Sequence, residues 1–123
     1  MARLLAIAFL PLAISANADD RSPAENARIE HLLGIVASLH DAQFSRNGTS
    51  YDSAAAVKHL RLKLRAAGSR IKTAEDFISE CASASSVSGR PYEIRFSDGQ
   101  VVLSADFLRQ KLLEFDKENG TPR

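Results

Sequence analysis

An α+β domain behind a short export leader is the fold class this sequence predicts, and three observations carry it. Apolar residues recur at helical spacing in four separate stretches. One stretch alternates apolar and polar residues around Asp98-Gly99, as a β-hairpin does. The first eighteen residues read as a signal peptide: a cationic Met1-Ala2-Arg3 start, an apolar run from Leu4 to Ser15, then small residues at Ala16 and Ala18. The expected architecture is about four helices and one β-hairpin around a single core. Residues 1–18 are the cleaved leader and residues 19–123 a single exported α+β domain.

The apolar run is shorter than the roughly 20 residues a permanent span requires, and Pro11 interrupts it, so no transmembrane anchor is expected. No cysteine lies near the cleavage point, which argues against a lipid anchor. The expected location is periplasmic or secreted. Without Arg3 the chain carries as many basic as acidic side chains, so bulk charge gives no support for nucleic-acid binding. Cys81 is the single cysteine, so packing must hold the fold without an intramolecular disulfide. Charge is uneven along the chain. Residues 46–72 hold seven basic side chains against Asp52, whereas both flanking segments have an acidic excess. Such segments either pair across the fold or meet an anionic partner.

Ser22-Pro23-Ala24-Glu25 starts the first helix: Ser22 caps, Pro23 fits the first helical position, and Glu25 completes a capping box. Ile29, Leu32, Leu33, Val36 and Leu39 form its apolar face, to about His40. Phe44 to Thr49 breaks the pattern, and Asn47-Gly48 marks a turn. A second helix is expected from about Ser50 to Ala67, ended by Gly68. It is apolar on two sides, with Tyr51, Ala55, Leu62 and Ala66 on one and Val57, Leu60, Leu64 and Ala67 on the other. That pattern suits a helix packed between two layers. Thr73 caps a third helix with Ala74, Phe77, Ile78, Cys81 and Ala82 inward. In the hairpin, a two-residue turn would set Ser97 opposite Gln100, Phe96 opposite Val101 and Ile94 opposite Leu103. Ser104 is the expected cap of the last helix, whose stripe is Ala105, Leu108, Leu112 and Phe115.

Four blocks in order carry a family resemblance: Phe44-x-Arg46-Asn47-Gly48, His59 to Leu64, Arg70 to Ile78, and Ala82 to Tyr92. Over about Ser22 to Phe115 the chain resembles the YfeK-like family of small exported bacterial proteins. The resemblance implies export and one domain. The family has no established activity or ligand, so it supplies no catalytic residues.

Candidate functional residues come from the polar positions that a core does not demand. His59 and Lys63 lie one helical turn apart with Asp52 two turns back, a seam that reads either as a carboxylate-held base or as solvated surface. Lys58, Arg61 and Arg65 form a basic stripe, a candidate anion seam. The loop with Ser83, Ser85, Ser86 and Ser88 lacks the Gly-x-Ser-x-Gly elbow and reads as a turn or an anion- or sugar-binding loop. The three histidines lack metal-ligand spacing, so neither metal nor cofactor is expected and no catalytic residue is assigned. If one ligand site exists, it forms where Arg46, Asn47, His59, Lys63, Ser85, Ser86 and Tyr92 converge. The function expected is non-catalytic binding in the cell envelope. The partner would be an envelope polysaccharide, an anionic lipid head group or an envelope protein. The alternatives are a small hydrolase using His59 and a loop serine, or an inhibitor or immunity protein presenting residues 44–50 or 83–91.

Overall fold

The computed structural model describes residues 21–120; the expected leader and its cleavage point lie outside them. The element order is α1 (Pro23–Ser38), β1 (Gln43–Arg46), β2 (Thr49–Tyr51), α2 (Ser53–Ala67), a 3-10 turn (Gly68–Arg70), α3 (Ala74–Cys81), β3 (Glu93–Arg95), β4 (Val101–Leu103) and α4 (Ser104–Glu118). This is the α+β class with four α-helices. The sheet is larger than one hairpin: four antiparallel strands lie in the order β2-β1-β3-β4.

The additional hairpin is β1–β2. Asn47 and Gly48 both take positive φ, 53° and 81°, and close a two-residue turn with Arg46 opposite Thr49. That geometry matches the right-handed twist of paired strands. Strand pairing therefore claims Tyr51, which sits opposite Phe44, and α2 begins at Ser53 instead of about Ser50. Asp52 becomes its cap, with Oδ1 accepting the Ala55 N–H at 2.9 Å.

The β3–β4 register differs by one from the expected pairing. Ile94 faces Val102, Arg95 faces Val101 and Glu93 faces Leu103. The loop has three residues, Ser97-Asp98-Gly99: the Phe96 N–H bonds the Gln100 carbonyl at 2.8 Å, and Gly99, at φ 92°, donates back to Phe96 at 2.9 Å. Asp98 accepts from the Gln100 N–H, which favours this turn over the two-residue one. A one-residue slip reverses every side chain of a strand. Val101 and Leu103 are accordingly exposed, and Val102 shares the inner face with Ile94.

The helices meet in one hydrophobic cluster. Ile29, Leu32, Leu33 and Val36 of α1 pack with Leu60 of α2, Phe77, Ile78 and Cys81 of α3, and Leu108 and Leu112 of α4. Each such side chain contributes about 1.5–3 kcal/mol by leaving water. Two caps depart from expectation. Glu25 does not close a box on Ser22; its carboxylate binds Arg28 and accepts the Ala74 N–H at 2.8 Å. It thus satisfies a free amide at the start of α3, where a carboxylate also favours the helix dipole. Leu103, not Ser104, occupies the cap position of α4, with no side-chain cap. Thr73 and Asp76 do form a capping box on α3.

Candidate functional site

The two apolar faces of α2 have different fates. Ala56, Leu60 and Ala67 are buried in the core, with Val57 and Leu64 packed against it. The other face is not covered by a second layer, contrary to the expectation of a sandwiched helix. Leu62 is 50% exposed. Ala55, Lys58, His59 and Leu62, at i, i+3, i+4 and i+7, form one wall of a pocket of about 230 Å³. The hairpin supplies the opposite wall through Phe44, Ser45, Arg46 and Tyr51; Tyr92, Glu93 and Ser104 add to the lining, and the core residues Ala56 and Leu60 reach its floor. The reason is local: strand pairing pulls residues 49–51 into the sheet, so the hairpin stands beside the start of α2 and leaves its second face open. Full burial of a leucine is worth about 1.5–3 kcal/mol, so a ligand covering the exposed half of Leu62 would recover on the order of 1 kcal/mol.

A polar cluster borders this pocket. The Lys63 ammonium donates to the Tyr92 hydroxyl at 3.0 Å and to the Ala84 carbonyl at 3.1 Å. The Tyr92 hydroxyl lies 3.2 Å from His59 Nε2. Lysine can only donate, so the phenol oxygen accepts from it, and the direction of the His59–Tyr92 bond follows the tautomer of the ring. Burial, and then the Arg46 and Lys63 charges, hold the His59 pKa below its ordinary value. The ring of His59 also meets the edge of Tyr92, with centroids 5.9 Å apart. Asp52 plays no part here, because its carboxylate caps α2; the expected carboxylate–histidine seam is replaced by a phenol–histidine contact.

Of the other residues singled out in the sequence, Arg46 lines the pocket, donates to the Tyr51 hydroxyl at 3.0 Å and stacks over that ring. Asn47 and Ser85 bind each other at 3.1 Å, outside the pocket lining. Ser85 is buried and its hydroxyl also accepts from the Val87 and Ser88 amides, so it organises its own loop. Ser88 donates to Asn47, and Ser83 donates to the Ile78 carbonyl. Ser86 is exposed and is not part of the pocket wall. The Phe44–Gly48 turn, the His59/Lys63 turn of helix and the 83–92 loop therefore do meet in space, through Asn47–Ser85 on one side and His59–Tyr92–Lys63 on the other.

The basic stripe divides. Arg61 forms a two-pronged pair with Glu30 of α1, at 2.9 and 3.0 Å. The pair pulls the Glu30 pKa down and the Arg61 pKa up, chiefly through the hydrogen bonds. Lys58 is exposed at the pocket, and Arg65 is exposed in the last turn of α2. Cys81 is fully buried on the core face of α3, and burial pushes its thiol pKa up.

Pocket residues missed in the sequence are Phe44, Ser45, Tyr51, Ala55, Ala56, Leu60, Leu62, Glu93 and Ser104. The signal for Phe44 and Tyr51 was present: Asn47-Gly48 flanked by Phe44 and Arg46 before it and Thr49 and Tyr51 after it alternates as a hairpin does. Nothing local marks Ser104, which reaches the pocket only because β4 runs directly into α4.

Fold and pocket together define a small α+β protein with an apolar cleft edged by cations and a neutral histidine. The chain belongs to a family described as a family of unknown function, DUF5329, whose model matches residues 23–116. It is similar to the uncharacterized protein YfeK of Salmonella typhimurium strain LT2, with 48% identity over 68 residues, covering 55% of this chain and 57% of that protein. The family resemblance read from the four sequence blocks is thus confirmed. No solved structure matches the chain. Among the described residues, no helix is long and apolar enough to cross a membrane.

Proposed function

We propose that this protein is an exported, non-catalytic binding module that holds a small ligand with an apolar body in the pocket between α2 and the β1–β2 hairpin. The observation that carries the reading is the open apolar stripe of α2, Ala55 and Leu62, facing Phe44 and Tyr51 across a cleft of about 230 Å³. Small-molecule sites are concave and mostly apolar, with a few placed polar groups. Here those groups are Arg46, Lys58, His59 and Tyr92. The cleft is smaller than the roughly 300 Å³ at which drug-sized sites begin, which favours one ring or a short chain over an extended polymer. The non-catalytic reading is supported by the loop hydroxyls. Ser83 bonds the Ile78 carbonyl of α3, Ser85 and Ser88 bond within their loop and with Asn47, Ser86 is exposed outside the pocket lining, and His59 Nε2 meets a phenol, not a serine.

A neutral apolar dye, N-phenyl-1-naphthylamine, tests the site. Its fluorescence is expected to rise saturably with the purified protein and to lose that rise in Ala55→Trp, which fills the cleft. No saturable rise, or equal binding by the filled variant, would overturn the reading. Export rests on the signature in residues 1–18. Protein recovered from the periplasm or medium should begin at Asp19, whereas full-length protein in the membrane fraction would contradict it.

A further inference from the structure

Resting on the pocket reading above, we infer that the ligand is an amphiphile with an anionic head group, its apolar body between Leu62 and Phe44 and its head at Arg46 and Lys58. Three cations stand at the site: Arg46 and Lys58 in the lining, and Lys63 behind Tyr92. Among the described residues none of them lies within ion-pair distance of a carboxylate. Their neighbour Arg61, one helical turn from Lys58, does have such a partner in Glu30. The contrast separates a charge that the fold itself neutralises, Arg61, from Arg46 and Lys58, which line the cleft. Among the described residues Glu93 is the one carboxylate in the lining, against Arg46 and Lys58, so the lining carries a net positive charge.

The local arrangement keeps that charge in place. Arg46 is stacked on Tyr51 with its centre 5.1 Å from the ring centroid, and its Nη2 is fixed by the Tyr51 hydroxyl. A guanidinium so held loses little further freedom when it binds a carboxylate or phosphate. Close to an apolar wall the attraction between a cation and an anion is stronger than in open water. The same chemistry is found in free fatty-acid-like molecules and in lipid head groups with their first acyl carbons.

Calorimetric titration with octanoate, octanol and octylammonium varies the head-group charge on one chain. Octanoate should bind at least tenfold more tightly than octanol, octylammonium most weakly, and added salt should narrow the difference. Lys58→Gln, at an exposed position, should weaken octanoate while leaving octanol unchanged; Arg46→Gln should do the same more strongly. Equal affinity for octanoate and octanol, or tighter octylammonium, would overturn the anion assignment while leaving the pocket reading intact. Binding of none of the three, together with failure of the neutral dye, would overturn both. Sedimentation with phosphatidylglycerol vesicles, competed by octanoate, would place the head group in a membrane. Octanoate binding without sedimentation would place it on a free amphiphile.

Discussion

His59 illustrates how one residue's protonation is written into its surroundings. It is partly buried, faces two cations, and meets a phenol that accepts from Lys63. A protonated ring would lose hydration in its half-buried place and be repelled by Arg46 and Lys63. The folded-state pKa therefore lies below the value near 6.5 of an unfolded chain. The sign for stability follows: above about pH 6.5 both states hold a neutral ring and this contribution is complete. As pH falls below that value the unfolded chain takes up a proton that the folded one resists, and stability declines until the folded-state midpoint is passed. Urea unfolding at pH 7.5 and 5.5 should show a smaller acid loss in His59→Gln than in the parent chain. An NMR titration should find the His59 ring shifting later on acidification than a model imidazole. The sequence groups Lys63, His59 and Tyr92 at one expected site, but the direct Lys63–Tyr92 bond joins residues 29 positions apart and is legible only in the fold.

At the level of elements, α2 shows what periodicity can and cannot say. Its two apolar faces were plain in the sequence, but periodicity does not tell a covered face from an open one. The outcome depended on Asn47-Gly48, which folds residues 43–51 as a hairpin and sets it beside the start of the helix. Leu60→Ala removes a buried side chain and should cost about 2–5 kcal/mol. Leu62→Ala removes one that is half in water, 50% exposed, and should cost less than about 1 kcal/mol. Chemical denaturation of both variants separates the two faces, and equal losses would show the second face to be covered. The β3–β4 ribbon carries the complementary lesson. Alternation located the strands, yet the register turned on whether Asp98-Gly99 closes a two- or a three-residue loop. The Asp98 side chain bonding the Gln100 amide belongs to the three-residue form. Thr73 and the core faces of α1 and α3 were legible because their signals are local: a cap, a dipole-matched acid, an apolar residue every three or four positions.

Across the whole molecule, α1, α3 and α4 are clasped by a charge network that no local pattern announces. Arg28, buried in the middle of α1, binds Asp116 of α4 through two hydrogen bonds of 3.0 and 2.8 Å, Glu75 of α3 at 2.9 Å, and Glu25 at 2.8 Å. The three carboxylates raise the Arg28 pKa still further above its normal range, against the opposing effect of burial. Asp116 is itself 2% exposed. Arg28→Met would remove the guanidinium that these carboxylates share and should destabilise by about 3–5 kcal/mol. Arg61→Gln breaks only an exposed pair and should cost below about 1 kcal/mol. Comparable losses from the two variants in urea unfolding would contradict this ranking. The acidic excess on either side of the basic middle is thus answered in part within the fold, by Arg61 with Glu30, and in part left open at the pocket. The central claim, that the open face of α2 is a ligand site, is tested most directly by mapping backbone amide shifts as octanoate is added to isotope-labelled protein. The account predicts saturable changes centred on Phe44, Ala55, His59, Leu62 and Tyr92. Changes centred on the smaller cleft at Leu39, His40, Ala42 and Phe96, or scattered over the surface without saturation, would contradict it.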